Sequence, residues 1–206
     1  MSLPRLYAII DSSCFAAPVR TGALVEYALE LARGGVTLIQ YRNKIRSARE
    51  MLSHARELRR ALPSRVSLIM NDRADLCLAA DCDGVHVGQD DLSPVAARSL
   101  IGPDKLLGIS THNLEQLCEA DTDAVNYVAF GPVFATSSKR NPDAVVGLEG
   151  MRAARAATKK PLVAIGGITR SNARSVIDAG ADSVAVIADL LSSPSNVAEE
   201  FLRLLV

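Results

Sequence analysis

Short apolar runs alternate with segments of helical periodicity along the chain, and this alternation constrains the fold more than any other feature. The runs are rich in Val, Ile and Leu, which is typical of strands buried on both faces. Strict alternation of strand and helix predicts parallel strands joined by right-handed crossovers. The eight predicted strands are Leu6–Ile10, Val36–Gln40, Ser67–Met70, Gly84–Val87, Leu106–Ile109, Asn126–Phe130, Leu162–Ile165 and Ser183–Ile187.

Eight strand–helix units predict an α/β protein with one (β/α)8 TIM barrel over residues 1–206. The chain is shorter than the usual barrel of about 250 residues, so its connections must be tight. The alternative is a doubly wound open sheet. Against that alternative, the first strand continues as Asp11-Ser12-Ser13-Cys14 and not as a glycine-rich dinucleotide motif.

Serine and asparagine residues mark where several helices begin, because their side chains can accept a hydrogen bond from a backbone N–H of the first turn. We expect Ser47 to cap the helix that runs to about Leu62, and Ser171 to cap the seventh helix. We expect Ser195 or Asn196 to cap the last helix.

The balance of charge and the cysteine pattern exclude several classes of protein. Lys+Arg and Asp+Glu are both 23, and this neutrality argues against a nucleic-acid or membrane-surface binder. No apolar run approaches the length of a spanning helix, and the N-terminus does not resemble a signal peptide. The four cysteines form no Cys-x-x-Cys pair. We therefore expect a cytoplasmic protein with reduced thiols that acts on small molecules.

Polar side chains at the carboxyl ends of the strands are the first candidates for a functional site, because barrel enzymes build their sites there. The second strand leads into Gln40, Arg42 and Lys44, which alternate along the chain and so can point to one side. Two cations beside an amide suit an anion such as a diphosphate. The competing interpretation is a solvated basic turn.

Carboxylates follow the third and fourth strands. Asn71 and Asp72 end the third strand, and Gln89, Asp90 and Asp91 end the fourth. One acid from each end could hold Mg²⁺ together with water and a substrate phosphate, whereas the alternative role for each is to cap the next helix. Within the fourth strand, His86 is expected to be a packed, hydrogen-bonded core residue and not a catalytic one.

The remaining candidates are suited to phosphate. Ser110 ends the fifth strand, although it could be only a turn residue. The polar loop Val133–Val146 carries Thr136-Ser137-Ser138-Lys139, and the loops after the last two strands carry Gly166-Gly167 and Ile187-Ala188. Loops after strands seven and eight are the recurring phosphate site of such barrels.

These motifs together resemble the thiamine-phosphate synthase (thiamine-phosphate pyrophosphorylase) family, and the resemblance runs nearly end to end. That family joins a hydroxymethylpyrimidine diphosphate to a thiazole phosphate and releases diphosphate. The motifs that carry the resemblance are YAIID, QYRNK, MNDRADL, DGVHVGQDD, LGIST, YVAFGPVFATSSK, VGLEG, VAIGGIT and AGADSVAVI.

The resemblance implies roles for individual residues. Asp72 and Asp91 would bind Mg²⁺, which leaves Asp90 as a structural residue. Catalysis would involve Arg42, Lys44, Lys139 and Ser110. The implied substrate-binding residues are Gln40, Tyr41, Arg42, Asn43, Lys44, Asn71, Ser110, Thr136, Ser137, Ser138, Lys139, Gly167, Ile187 and Ala188.

Two alternatives share this fold. A related thiazole tautomerase carries a histidine after the glycine that ends strand six, where this chain has Pro132. A phosphate-ligand sensor that has lost its chemistry would not be expected to keep Gln40, the two cations and both acids. One departure from the family is Ala188, where serine is common, so any phosphate contact there must come from the backbone N–H.

Overall fold

Eight parallel strands form a closed barrel in chain order, with the last strand pairing back to the first. The computed structural model describes residues 3–17, 19–45, 47–122, 124–136 and 143–206. The predicted barrel is confirmed, and the open-sheet alternative is wrong. The strands are β1 (Leu6–Asp11), β2 (Leu38–Arg42), β3 (Ser67–Asn71), β4 (Gly84–Val87), β5 (Leu106–Thr111), β6 (Tyr127–Phe130), β7 (Leu162–Ile165) and β8 (Ser183–Val186).

Each strand is followed by an α-helix that covers the outside of the barrel. Two short 3-10 turns, Ser12–Cys14 and Ala188–Leu190, also lie in the described part of the chain, after β1 and β8. The helices are α1 (Thr21–Arg33), α2 (Ala48–Ala61), α3 (Ala74–Ala79), α4 (Pro94–Ile101), α5 (Leu114–Ala120), α6 (Gly147–Ala157), α7 (Ala173–Asp178) and α8 (Pro194–Leu204).

The helix starts agree only partly with the expected caps. Ser47 caps α2 in a reciprocal capping box with Glu50. The prediction for Ser171 is wrong, because Asn172 precedes α7 and its side chain accepts the backbone N–H of Thr169. The last helix begins at Pro194, a residue well suited to the first helical position, so Ser195 and Asn196 lie inside it.

Strand ends also differ from the prediction, and the difference matters for the site. The second strand begins at Leu38 because the backbone N–H of Val36 still bonds to the carbonyl of Leu31, closing the turn after α1. It then extends to Arg42, which pairs in register with Asp11 at the end of β1. This extension places both residues on the rim of the barrel.

Apolar side chains fill two layers, one inside the barrel and one between the strands and the helices. Alternation along each strand decides which layer a residue joins. On β2, Leu38 lies in the inner cluster, whereas Ile39 and Tyr41 lie in the outer one. The inner cluster comprises Tyr7, Ile9, Leu38, Ile69, Tyr127, Ala129, Val163 and Ala185.

All four cysteines are free, with Cys77 and Cys82 buried and Cys14 and Cys118 exposed. Across the described residues, we find no helix that is both long and apolar enough to cross a bilayer.

Candidate active site

A cavity of about 730 Å³ opens at the carboxyl ends of the strands. Eleven of the predicted substrate- and metal-binding residues line it, and they come from seven different strand ends or the loops that follow. The structure therefore brings together groups that lie far apart along the chain. These residues are Gln40, Arg42, Lys44, Asn71, Asp72, Asp91, Ser110, Thr136, Gly167, Ile187 and Ala188.

Two predicted substrate-binding residues, Tyr41 and Asn43, are not among those lining residues, and their role stays a prediction. The Tyr41 side chain is fully buried on the outer face of β2, where its hydroxyl lies 2.7 Å from Nδ1 of His54 on α2. The Asn43 amide donates to the same hydroxyl at 2.9 Å. Strand alternation turns both side chains away from the face that carries Gln40 and Arg42. The predicted residues Ser137, Ser138 and Lys139 lie outside the described residues.

A cation held in place by a buried acid forms one wall of the cavity. The Arg42 guanidinium donates to the carboxylate of Asp11, which also accepts from the backbone N–H of Ser13 at 2.9 Å and from its hydroxyl at 2.7 Å. Asp11 is only 3% exposed, so this pair is shielded from water. Lys44 is more exposed and forms an ion pair with Asp72. One cation is thus fixed in orientation, and the other can move.

The two predicted metal-binding acids lie side by side. The carboxyl of Asp91 is within hydrogen-bonding range of Asp72 and also accepts the backbone N–H of Gly88 at 2.7 Å. Burial raises the pKa of Asp72, and the nearby Asp91 raises it further, while Lys44 acts in the opposite direction. Negative charge on this pair is therefore costly unless a cation is close.

The backbone at Asp72 is unusual and explains where its carboxylate points. Its φ is +61°, in the left-handed region that residues other than glycine adopt uncommonly. Its N–H donates to the carbonyl of His86 at 2.7 Å, which ties the end of β3 to β4. Asp72 is not the cap of the next helix, since Arg73 occupies that position before α3. Strained backbone of this kind is concentrated at functional sites.

A line of hydrogen bonds crosses the inside of the barrel beneath the cavity, and we call it the barrel chain. The Gln40 amide donates to the Tyr7 hydroxyl at 2.8 Å, and that hydroxyl lies 3.0 Å from the hydroxyl of Tyr127. The Tyr127 hydroxyl lies 3.0 Å from Nδ1 of His86, whose Nε2 lies 2.9 Å from Oγ of Ser110.

Burial raises the pKa of both tyrosines in the barrel chain, so both phenols are protonated at neutral pH. His86 is buried and hydrogen-bonded, as the sequence predicted, but it also lines the cavity. Tyr7 and Tyr127 were not predicted, because aromatic residues inside apolar strands are usually packing residues.

Glycines let two loops meet closely at the opposite side of the cavity. Gly166 and Gly167 have φ values of +100° and +63°, and a Cβ on Gly167 would lie 2.4 Å from the carbonyl oxygen of Ala135. The loop after β6 is bound to this glycine turn, since the N–H of Phe134 donates to the carbonyl of Gly166 at 3.0 Å. The backbone N–H groups here remain close to the cavity, as phosphate binding requires.

Other lining residues were missed by the sequence analysis. His112 follows Ser110 by two positions and approaches the carbonyl of Gly131 at 2.7 Å and the carboxylate of Asp143 at 3.4 Å. It therefore links the end of β5 to both sides of the loop after β6. The position of His112 two residues after Ser110, just beyond the end of β5, was the available signal.

A closed (β/α)8 barrel whose mouth carries two cations, paired acids and a glycine turn has the site architecture of a TIM-barrel enzyme, with groups that suit anionic ligands. The comparison with protein families agrees: the family model described as thiamine monophosphate synthase matches residues 6–190. The chain belongs to this family, whose named members among its relatives are transferases. The resemblance found in the sequence is thereby confirmed.

Individual relatives support the same family assignment. A thiamine-phosphate synthase of Koribacter versatilis is 64% identical over 205 residues, covering 100% of this chain and 97% of the relative. One from Chloroflexus aurantiacus is 45% identical, covering 98% of this chain and 92% of the relative. The solved thiamine phosphate pyrophosphorylase of Pyrococcus furiosus is 33% identical and superimposes with a TM-score of 0.84 over 98% of this chain and 95% of its own.

Proposed function

We propose that the protein condenses 4-amino-2-methyl-5-hydroxymethylpyrimidine diphosphate with hydroxyethylthiazole phosphate, or its carboxylated form, to give thiamine phosphate and diphosphate. The observation that carries this proposal is the meeting of Arg42, Lys44, Asp72 and Asp91 at one side of the cavity. Two cations and two acids lining one cavity suit a diphosphate that arrives with a divalent metal ion.

The diphosphate would bind at the cationic side. Arg42 is already oriented by Asp11, so its remaining N–H groups can donate to phosphate oxygens with little loss of side-chain freedom. Lys44 can exchange its contact with Asp72 for a phosphate oxygen. The predicted contribution of Lys139 to the departing diphosphate stays part of the proposal.

The acid pair would hold Mg²⁺. Its donor set fits, because both carboxylates are hard oxygen ligands and because burial and the neighbouring Asp91 raise the pKa of Asp72, so that its charge favours a nearby cation. Within the described ranges, no group of three His, Cys, Asp or Glu side chains forms a metal centre, so water and phosphate oxygens would complete the shell. Bound there, Mg²⁺ would neutralise charge on the diphosphate oxygens.

The other lining residues would position the two substrates. Gln40, Asn71 and Ser110, which line the cavity, would contact the pyrimidine above the barrel chain. The thiazole phosphate would lie on the opposite side, at the glycine turn and the β8 loop. The proposed contacts there are the side chains of Thr136, Ser137 and Ser138 and the backbone of Gly167, Ile187 and Ala188.

This arrangement suits a dissociative substitution. The bond between the pyrimidine methylene carbon and the diphosphate oxygen breaks, and its electron pair leaves with the diphosphate. The lone pair of the thiazole nitrogen then forms the new C–N bond to the pyrimidine methylene cation. The protein's contribution is to stabilise the leaving charge and to align the two rings. No side-chain nucleophile is needed.

We also propose that the protein acts in the cytoplasm on small-molecule substrates, without nucleic acid or membrane partners. Four unpaired cysteines in the structure support a reducing compartment.

The direct test is to incubate the purified protein with both substrates and Mg²⁺ and to measure thiamine phosphate by chromatography. We expect equal amounts of thiamine phosphate and diphosphate, and no product when either substrate is omitted. Isomerisation of a thiazole phosphate without the pyrimidine would indicate a tautomerase instead. Binding of both substrates without turnover would indicate a sensor. Either result would overturn the proposed reaction.

A further inference from the structure

We propose that the barrel chain has a single direction, so that it presents a hydrogen-bond acceptor at Gln40 and a donor at Ser110 to the ring of the bound substrate. Tyr7, Tyr127 and His86 would then be positioning residues that select an aminopyrimidine. This inference rests on the proposed function for the identity of the ligand, but the direction of the barrel chain follows from the contacts within the protein.

The direction is set at Gln40. Its amide nitrogen can only donate, so the Tyr7 hydroxyl accepts this bond at 2.8 Å. In the part of the chain that the structure describes, the hydroxyl of Tyr7 has two hydrogen-bond partners, Gln40 and Tyr127. The single proton of Tyr7 must therefore be donated to the Tyr127 oxygen, 3.0 Å away.

The same reasoning continues to the rim. Tyr127 accepts from Tyr7 and donates to Nδ1 of His86 at 3.0 Å. A ring nitrogen that accepts carries no proton, so neutral His86 holds its proton on Nε2 and donates to Oγ of Ser110 at 2.9 Å. The hydroxyl proton of Ser110 is then available to a ligand in the cavity that this residue lines.

The two ends of the barrel chain offer the ligand opposite hydrogen-bonding groups, an acceptor at Gln40 and a donor at Ser110. The Gln40 amide uses one of its two N–H groups on Tyr7 and presents its oxygen as the acceptor, while Ser110 supplies a donor. An amino group next to a ring nitrogen matches this pair, because the amino group donates and the ring nitrogen accepts. The 4-oxo analogue offers the reverse pattern, a carbonyl acceptor next to a ring N–H.

Burial makes this polarity effective. Gln40 is 3% exposed, His86 6%, and the two tyrosines at most 1%, so water cannot readily compensate for a mismatched bond. The raised pKa of both phenols, caused by burial, keeps both hydroxyls protonated. Sites that hydrogen-bond a substrate group in this way reject analogues that lack it more strongly than apolar pockets do.

The first experiment needs no substrate. In protein labelled with ¹⁵N-histidine, with His54 and His112 assigned by single substitution to glutamine, we expect His86 to show an unprotonated Nδ1 and a protonated Nε2. A proton on Nδ1 would mean that His86 donates to the Tyr127 hydroxyl instead of accepting from it, and it would overturn the proposal. This outcome is independent of whether the protein makes thiamine phosphate.

The second experiment measures selectivity by calorimetry, using the aminopyrimidine diphosphate and its 4-oxo analogue as probes. Tyr127→Phe removes the central hydroxyl and keeps the ring, and we expect the ratio of the two dissociation constants to fall by about tenfold, as for the loss of one buried hydrogen bond. Tyr27→Phe is the control, since it removes a buried hydroxyl that has no partner among the described residues.

An unchanged ratio in Tyr127→Phe would contradict the proposal, as would an equal fall in the Tyr27→Phe control. If Tyr127→Phe does not fold, the tautomer of His86 in the unaltered protein still decides the question. If the unaltered protein binds both probes but forms no product, the proposed reaction is wrong. The direction of the barrel chain is decided separately, by the tautomer of His86.

Discussion

Replacing Gly108 with alanine would place a methyl group directly against the ring of Tyr127 inside the barrel. Gly108 lies on β5 beneath the ring of Tyr127, and a Cβ added there would be 2.0 Å from Cζ and 2.4 Å from the hydroxyl oxygen. Ordinary van der Waals contact begins at 3.4 Å, so the ring would have to move by about 1.4 Å. Tyr127 is fully buried and has no free space in which to move without disturbing its neighbours.

The expected cost has two parts. Moving the ring disrupts the hydrogen bonds of Tyr127 to Tyr7 and His86, each contributing about 1 kcal/mol to stability. Overpacking a well-filled core costs a further 1–3 kcal/mol, roughly, so the total is about 4 kcal/mol. For a chain of this size, that corresponds to a fall in Tm of about 8–16 °C.

Thermal unfolding and urea unfolding of Gly108→Ala, followed by circular dichroism, measure this cost directly. Gly22→Ala on α1 is the matched control, because nothing lies within 4 Å of its added Cβ, and we expect no loss of stability there. Adding Tyr127→Leu to Gly108→Ala removes the clash, so the double variant should lose less stability than the sum of the single variants. A Gly108→Ala protein within about 0.5 kcal/mol of the unaltered protein would refute the reasoning, because that is the range of neutral surface substitutions.

Three further changes test separate parts of the structure. Tyr41→Phe should lower the free energy of unfolding by about 1 kcal/mol through the lost bond to His54 and leave the KM of both substrates unchanged, which steady-state kinetics would check. Asp11→Asn should reduce kcat/KM for the pyrimidine diphosphate by about tenfold or more, because Arg42 loses the charged partner that orients it. Ser47→Ala should cost about 1 kcal/mol in urea unfolding, with unchanged turnover, because it removes the cap of α2 and Ser47 does not line the cavity.

The fold was predictable because the pattern of apolar runs is local. Gly84–Val87 and Leu162–Ile165 were predicted with the bounds that the structure shows. Strand ends were less predictable, since polar residues such as Asp11 and Arg42 can continue a ladder that apolar periodicity no longer marks. The wrong cap at Ser171 has a similar cause, because several neighbouring residues can accept the same backbone N–H.

The site was predictable where residues project from strand ends and not where closure of the barrel joins distant side chains. Gln40, Arg42 and Lys44 could be placed from alternation alone. The contact between Tyr7 and Tyr127 joins residues 120 positions apart, and it depends on how far each side chain reaches across the barrel interior. No local sequence pattern carries that information.

The most direct test of the proposed reaction is the Mg²⁺ dependence of a single turnover, measured as thiamine phosphate formed with enzyme in excess over both substrates. We expect no product when Mg²⁺ is chelated. We expect the single-turnover rate of Asp72→Asn and of Asp91→Asn to fall by more than roughly 10–100-fold. That is the usual loss when a residue that only supports a metal ligand is removed. Asp75→Asn, which removes an exposed acid paired with Arg73, should keep the rate of the unaltered protein. Full activity without Mg²⁺, or an Asp72→Asn protein as fast as the unaltered one, would contradict the account.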